Sequence, residues 1–262
     1  SYQKALKLEP GLVNAQANIS SIYISQLDNL EKAISESHKT LKMHGEENDS
    51  TRFIDHKIPL YRLKHDIQQA EYLSSKNYKI NGTEQFQKIA NKILKYKENR
   101  ENDDNSNQKI LLNPDEINSL LPFYKTHHIY QTPEISTGCI NPQKNWQNVE
   151  EQYFSSPKQI IYIDNFLSDE AIKELREFCL VSKIWNREYP NKYLGAFSHN
   201  GFISPIHLKI AIELKQKLPK LFGKHSLDKF WGFKYDSTLG KGIGIHADFA
   251  IVNLNFWITP DE

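Results

Sequence analysis

The sequence predicts an α+β protein, with helices first and a sheet toward the C-terminal end. Through about residue 96, apolar residues recur at the three- and four-residue intervals of amphipathic helices. After residue 110, runs rich in β-branched and aromatic residues indicate strands, and two segments with capping residues indicate helices between them. Helices followed by strands are typical of the α+β class.

The composition indicates a globular protein without general affinity for nucleic acid or membranes. The chain has 262 residues, enough for one large domain or two small ones, and a net charge of +1. This balance gives no bulk attraction to nucleic acid or to an anionic membrane. The sequence contains no run of about 18 apolar residues, so it predicts no transmembrane helix. Cys139 and Cys179 are the two cysteines and form no disulfide framework, so we expect a reducing, cytoplasmic location.

Residues 1–45 predict paired helices. Pro10 ends a first helix, and apolar residues at helical spacing, with Tyr23 and Ala33 among them, follow. The pattern resembles a tetratricopeptide repeat, in which small residues lie where paired helices touch and a proline closes the second helix. The resemblance implies a repeat remnant that presents a docking surface for a protein or peptide partner. The alternative is an ordinary helical hairpin.

Residues 46–97 predict a helical extension, because IPLYRLKHDIQQAEYL places its apolar residues on one helical face. His56 and His65 are nine residues apart, match no ligand spacing, and are expected at the surface or at helix ends. Residues 98–109 contain almost no apolar side chain and predict a polar linker.

Residues 110–262 predict a second region with both helices and strands. QIIYIDNFL indicates a strand, and Ser168 then caps a helix whose first turn is acidic. Ser204 and Pro205 begin another helix, which ends before Pro219. KFWGFKYDS predicts a strand, and the closing GIGIHADFAIVNLNFWITPDE predicts at least two more.

His246 and Asp248 form a His-x-Asp pair inside this closing stretch. Residues i and i+2 of a strand project from the same face, so an imidazole and a carboxylate would lie side by side. Such a pair and one further His make the facial triad of non-heme Fe(II) oxygenases, which leaves coordination positions open. The alternative is that Asp248 only orients a neutral His246 within a polar core.

The stretch KYDSTLGKGIGIHADFAIVNLNFWITPDE resembles the first ligand strand of the 2-oxoglutarate/Fe(II)-dependent oxygenases. The region that starts at IIYIDNFLSDEAIKELREFC is similar to their prolyl-4-hydroxylase-like branch, and its combination with helical repeats is similar to a bacterial group of this class. The resemblance implies a double-stranded β-helix over residues 110–262, incomplete at its C-terminal end. It also implies Fe(II) as the metal and 2-oxoglutarate as the co-substrate.

Within the resemblance, His246 and Asp248 match the first two metal ligands. Tyr235 matches a tyrosine that contacts 2-oxoglutarate, although its spacing to the histidine is longer here and packing in the core explains it equally well. Asn255, like Asn253, would contact a carboxylate if the strand bends after Phe249; otherwise it lies at the surface.

The family's distal His ligand, and the Arg or Lys that pairs with 2-oxoglutarate, would lie beyond Glu262. The upstream histidines do not replace that ligand convincingly; they are His199, His207 and His225. The chain has no initiating Met, begins in a helical pattern and ends in a strand pattern. We therefore expect a fragment of a longer protein, inactive by itself.

The function that the resemblance implies is a dioxygenase that hydroxylates a protein or peptide docked by the repeats. The alternative is a non-catalytic, repeat-based binding scaffold with a degenerate oxygenase fold. A third possibility, an accessory protein linked to a glycosyltransferase or sulfotransferase, has less support, because the sequence contains no GxxxxGK phosphate loop.

Overall fold

The computed structural model describes residues 1–51, 53–98, 109–236, 238–239, 244, 246 and 248–260. These residues form a helix-rich molecule with two small antiparallel sheets, so the predicted mixture of helices and strands is confirmed. The helices are α1 (Tyr2–Leu8), α2 (Val13–Gln26), α3 (Leu30–Thr51), α4 (Leu60–Ser75), α5 (Thr83–Glu98), α6 (Pro114–Lys125), α7 (Trp146–Ser155), α8 (Asp169–Val181), α9 (Pro205–Lys217) and α10 (Pro219–Phe222). The strands are β1 (Lys57–Pro59), β2 (Lys109–Leu111), β3 (Arg187–Glu188), β4 (Leu194–Phe197) and β5 (Trp231–Lys234).

Helices α1 to α3 form the N-terminal layer, as the helical pattern of residues 1–45 predicts. Gln16 on α2 donates a hydrogen bond from Nε2 to Glu36 Oε2 on α3 at 2.6 Å, and both side chains are buried. Ile24 and Ala33 from the same helices are buried in one cluster with residues of the 203–208 segment. The N-terminal helices therefore share a hydrophobic cluster with the start of α9.

A second core joins α4, α5 and α6 to the β1–β2 ribbon. The predicted apolar face of α4 is buried, and Phe86 on α5 stacks on Phe123 on α6 with ring centroids 4.2 Å apart. In the ribbon, Ile58 pairs with Ile110 and both are buried. The predicted linker 98–109 lies outside the described residues except for its ends, which belong to α5 and β2.

The three-stranded sheet has the order β3-β4-β5, so β3 is an edge strand. Strand β5 lies within KFWGFKYDS, as predicted. Helix α8 begins as predicted, because Ser168 Oγ accepts a hydrogen bond from the Ala171 N–H at 3.3 Å. Helix α9 likewise begins at Pro205, and Ser204 Oγ is 2.8 Å from His207 Nδ1 instead of capping a backbone N–H.

The predicted strand at residues 159–167 is wrong. Apart from one isolated bridge between Leu167 and Ile140, this segment has no strand pairing, and Ile160 and Tyr162 are exposed. A strand needs a neighbour to accept and donate its ladder hydrogen bonds. Here the chain instead turns at Asn165, which has a positive φ of 50°, and enters α8.

The strands predicted in the closing stretch are also wrong for its described residues, 244, 246 and 248–260. The chain turns after Asp248, where the Ala250 N–H donates to the Asp248 carbonyl at 3.0 Å. Val252 and Leu254 then pack against the core around Trp146, and no described strand runs beside them. Apolar side-chain packing, not a sheet ladder, holds this segment.

His65 contradicts the expectation of a surface position, because it is buried, whereas His56 is exposed as expected. The α4 helix is buried on several sides, and His65 Nε2 is 3.0 Å from the Lys192 carbonyl oxygen. Burial lowers the pKa of His65, with a smaller opposing effect from that contact.

Both cysteines are free thiols. No helix in the described part of the chain is long and apolar enough to span a bilayer.

Candidate metal site at His246 and Asp248

His246 and Asp248 lie side by side in an irregular segment after β5. Their facing atoms, His246 Nε2 and Asp248 Oδ1, are 3.6 Å apart. This separation is longer than a direct hydrogen bond. Neither atom forms a hydrogen bond with a described residue, so two potential donors to a metal face the same small gap.

The outward atoms of both side chains are held in place. His246 Nδ1 lies 2.8 Å from the Gly244 carbonyl oxygen, which can only accept, so Nδ1 carries the proton of the neutral ring. Asp248 Oδ2 accepts a hydrogen bond from Asn253 Nδ2 at 2.6 Å. Such outer hydrogen bonds fix the tautomer and orientation of metal ligands. They leave the lone pairs of Nε2 and Oδ1 free on the inner side.

The spacing of the pair fits one metal ion. Nitrogen and oxygen ligands lie about 2.0–2.2 Å from a divalent transition metal. Two such donors are about 3 Å apart at a right angle and about 3.6 Å apart at about 120°. The observed 3.6 Å therefore needs only a small rotation of one side chain to reach the right angle of an octahedral site.

Access from solvent is open on this side of the molecule. The His246 side chain is 46% exposed and the Asp248 side chain 24%. Phe249, next to the pair, is almost fully exposed. Within the residues that the structure describes, no third His, Cys, Asp or Glu joins the pair to form a metal-binding group.

The other predicted site residues are placed differently. The ring of Tyr235 packs 5.0 Å from that of Tyr193 and 6.0 Å from that of Phe233, and burial raises the pKa of Tyr235. Its hydroxyl makes no hydrogen bond with either member of the pair. Asn255 is exposed, and its side chain forms no hydrogen bond with a described residue. The structure thus brings Asn253, and not Asn255, to the carboxylate of Asp248.

The upstream histidines also lie elsewhere. The ring of His207 is surrounded by Phe178, Phe202 and Phe230, with centroids 4.9 to 5.3 Å away. His199 stacks beside Phe197 in a cleft described below. The sequence did indicate a condition under which Asn253 contacts a carboxylate, namely a bend after Phe249 that turns its side chain to the side of Asp248. The structure has that bend.

No protein-family model, curated protein or solved structure matches this chain. Its own residues and their geometry are therefore the basis for a functional proposal.

Proposed function

We propose that His246 and Asp248 supply two of the three protein ligands of an Fe(II) site in a 2-oxoglutarate-dependent dioxygenase. The single observation that carries the proposal is the inward-facing Nε2 and Oδ1, 3.6 Å apart, with both outward atoms hydrogen-bonded. A His-x-Asp pair is the shared part of the facial triad that such enzymes use. The resemblance of the closing stretch to these oxygenases agrees with this assignment.

The residues of the chain prepare the pair for its role. The Gly244 carbonyl accepts the Nδ1 proton, so the neutral ring presents the lone pair of Nε2 to the gap. Asn253 Nδ2 donates a hydrogen bond to Asp248 Oδ2, so Asp248 offers Oδ1 as a single-oxygen ligand. When bound, Fe(II) would activate dioxygen, which converts 2-oxoglutarate to succinate and CO2 while a substrate C–H becomes C–OH.

The finer fold is part of the same proposal. We propose that the region from residue 110 onward belongs to a double-stranded β-helix, and that helices α1 to α3 are a tetratricopeptide-like remnant. Among the described residues, no third His, Cys, Asp or Glu completes a metal-binding group with the pair. A protein or peptide substrate, docked by the helices, follows from this arrangement by analogy with other repeat proteins.

The deciding experiment compares succinate formation in three proteins, each made as the whole protein that its gene encodes. They are the wild type, His246→Ala and the control His225→Ala, which removes a histidine outside the pair. We expect iron-dependent succinate formation in the wild type and the control, and its loss in His246→Ala. Binding of Co(II), followed by its visible absorption spectrum, gives a second readout that does not need turnover.

Equal succinate formation by the wild type and His246→Ala would refute the metal assignment. No iron-dependent succinate and no spectral change with Co(II) in any of the proteins would favour a non-catalytic binding scaffold instead.

A further inference from the structure

A cleft of about 840 Å³ lies between the N-terminal helices and the two sheets. One wall comes from the loop before α2 and from α2 and α3. The opposite wall comes from the β1–β2 ribbon and from β3 and β4. Its volume is within the range of ligand-binding sites in proteins. No residue of the His246–Asp248 pair lines it.

The β1–β2 ribbon turns a cationic face toward this cleft. Lys57 pairs with Leu111 and Pro59 pairs with Lys109, so these four side chains share one face, opposite the buried isoleucines. Lys57 and Lys109 are diagonal neighbours, about 7–8 Å apart. Both lysines are exposed, line the cleft and form no ion pair with a described residue.

A third cation stands on the edge strand β3. The Arg187 guanidinium lies 5.4 Å from the ring centroid of Phe197, and the ring of His199 stacks on that of Phe197 with centroids 5.7 Å apart. Arg187 forms no ion pair with a described residue. Burial lowers the pKa of His199, and electrostatic effects of His44, Arg187 and Lys229 lower it further, in that order.

The amino end of α2 adds partial positive charge on the opposite wall. Residues 11–14 line the cleft, no side chain caps the helix, and its first turn has no acidic residue. The N–H groups of Val13 and Asn14 make no backbone hydrogen bond, whereas those of Ala15 and Gln16 bond to Leu12. Uncapped N–H groups and the helix dipole favour an anionic ligand.

Two acids line the same cleft, Glu9 and Glu188. Glu188 acts electrostatically on the buried Arg62, whose pKa it helps to raise, although Asp66 raises that pKa more. Glu9 has no such partner among the described residues. Lys57, Lys109 and Arg187 stand against these two carboxylates, so the charged side chains that line the cleft leave one positive charge in excess.

We propose that this cleft binds an extended, acidic segment of a protein partner. The cations stand on two separate sheets, so a chain with several carboxylates matches them better than a single small anion does. Strand β3 is a sheet edge, and residues 186–188 line the cleft. An extended chain there would lie beside backbone groups that β4 does not use. The proposal does not depend on the metal site.

The test measures binding of a fluorescein-labelled peptide of alternating Glu and Gly to the purified chain, by fluorescence anisotropy without added metal. The matching Gln–Gly peptide is the neutral comparison. We expect the acidic peptide to bind and the neutral one to bind at least about tenfold more weakly, with a marked loss at high salt. The double variant Lys57→Glu/Lys109→Glu should weaken binding of the acidic peptide by about tenfold or more.

The matched control is Lys217→Glu/Lys220→Glu, which makes the same charge change at exposed positions outside the cleft. It should change the affinity by less than about twofold. Arg187→Gln tests the β3 side independently, and circular dichroism checks that each variant is folded. Equal loss in both double variants, or equal binding of the two peptides, would overturn the proposal. Full displacement of the peptide by inorganic phosphate at constant ionic strength would also overturn it, in favour of a small-anion site.

Discussion

Asn253 Nδ2 donates to Asp248 Oδ2 at 2.6 Å, across the turn that follows Phe249. This bond holds the outer oxygen of the carboxylate while Oδ1 faces His246 Nε2. Hydrogen bonds of this kind orient a ligand before any metal arrives. If the pair binds a metal, Asn253 should therefore contribute to the affinity without touching the ion.

Replacing Asn253 by Ala should weaken binding of Co(II) by about 10- to 100-fold, because the carboxylate loses its fixed orientation. The measurement is a titration followed by the visible spectrum of Co(II) in the whole protein. Asn255→Ala is the matched control, since Asn255 is exposed and contacts neither ligand. A larger loss in the control than in Asn253→Ala would contradict the assigned role.

Asp66 and Arg62 form a buried ion pair one turn apart on α4. Arg62 Nε donates to Asp66 Oδ2 at 2.7 Å, Arg62 Nη1 donates to the Trp185 carbonyl at 2.6 Å, and the Tyr124 hydroxyl donates to the same carboxylate oxygen at 2.8 Å. Both charged side chains are almost fully buried. Removing one charge leaves the other without compensation in the interior.

Asp66→Asn should therefore lower the free energy of unfolding by about 3–5 kcal/mol, measured by urea denaturation at neutral pH. Glu71→Gln, an exposed change on the same helix, should cost less than about 0.5 kcal/mol. The double variant Arg62→Met/Asp66→Leu should be more stable than Asp66→Asn, because it removes both charges. If Asp66→Asn and Glu71→Gln lower the free energy of unfolding by similar small amounts, the buried pair does not stabilise the fold.

The sequence predicted those elements whose signals are local. The helix of residues 169–181 follows from Ser168 and the acidic first turn, and the buried face of α4 follows from spacing alone. The prediction of a strand at residues 159–167 was wrong because β-branched residues only favour the strand conformation. A strand also needs a neighbouring strand to pair with. No sequence pattern shows whether that neighbour is present.

The same limit applies to the candidate site. Spacing placed His246 and Asp248 on one side, and the structure does bring them within 3.6 Å, although not on a regular strand. The choice between Asn253 and Asn255 depended on where the chain bends, which is decided by Val252 and Leu254 packing on the core. The cleft joins residues of both terminal halves, such as Val13 and Arg187, so no local motif predicts it.

Glu213 on α9 forms hydrogen bonds with the backbone of the loop that precedes α7. Its carboxylate accepts hydrogen bonds from the Cys139 N–H at 2.9 and 3.0 Å and from the Ile140 N–H at 2.7 Å. The Glu213 side chain is buried. Burial, and then the charge of Glu213, raises the pKa of the Cys139 thiol to about 12.

Glu213→Ala should lower the free energy of unfolding by about 2–4 kcal/mol, because two buried N–H groups lose their acceptor. Glu213→Gln keeps one acceptor oxygen and should cost less. Glu134→Gln, an exposed change in the same loop, is the control and should have little effect on the urea midpoint. A Gln variant as unstable as the Ala variant would show that the charge, and not the acceptor, is what the loop requires.

His207 is enclosed by three phenylalanine rings, and its Nδ1 is 2.8 Å from Ser204 Oγ. Burial lowers the pKa of His207 to about 3. Burial also lowers the pKa of His38, His65, His128 and His199. In each case the unfolded chain takes up a proton more readily than the folded protein does.

The folded protein should therefore lose stability as the pH falls below about 6.5, because protonation favours the unfolded chain. With a folded pKa of about 3, His207 contributes a loss of about 2 kcal/mol between pH 7 and pH 5. His207→Phe removes this titration, so its free energy of unfolding should decline less over the same interval. Urea denaturation at both pH values measures the difference; the four other histidines leave a residual slope. Parallel pH curves for the two proteins would mean that folding does not lower the pKa of His207.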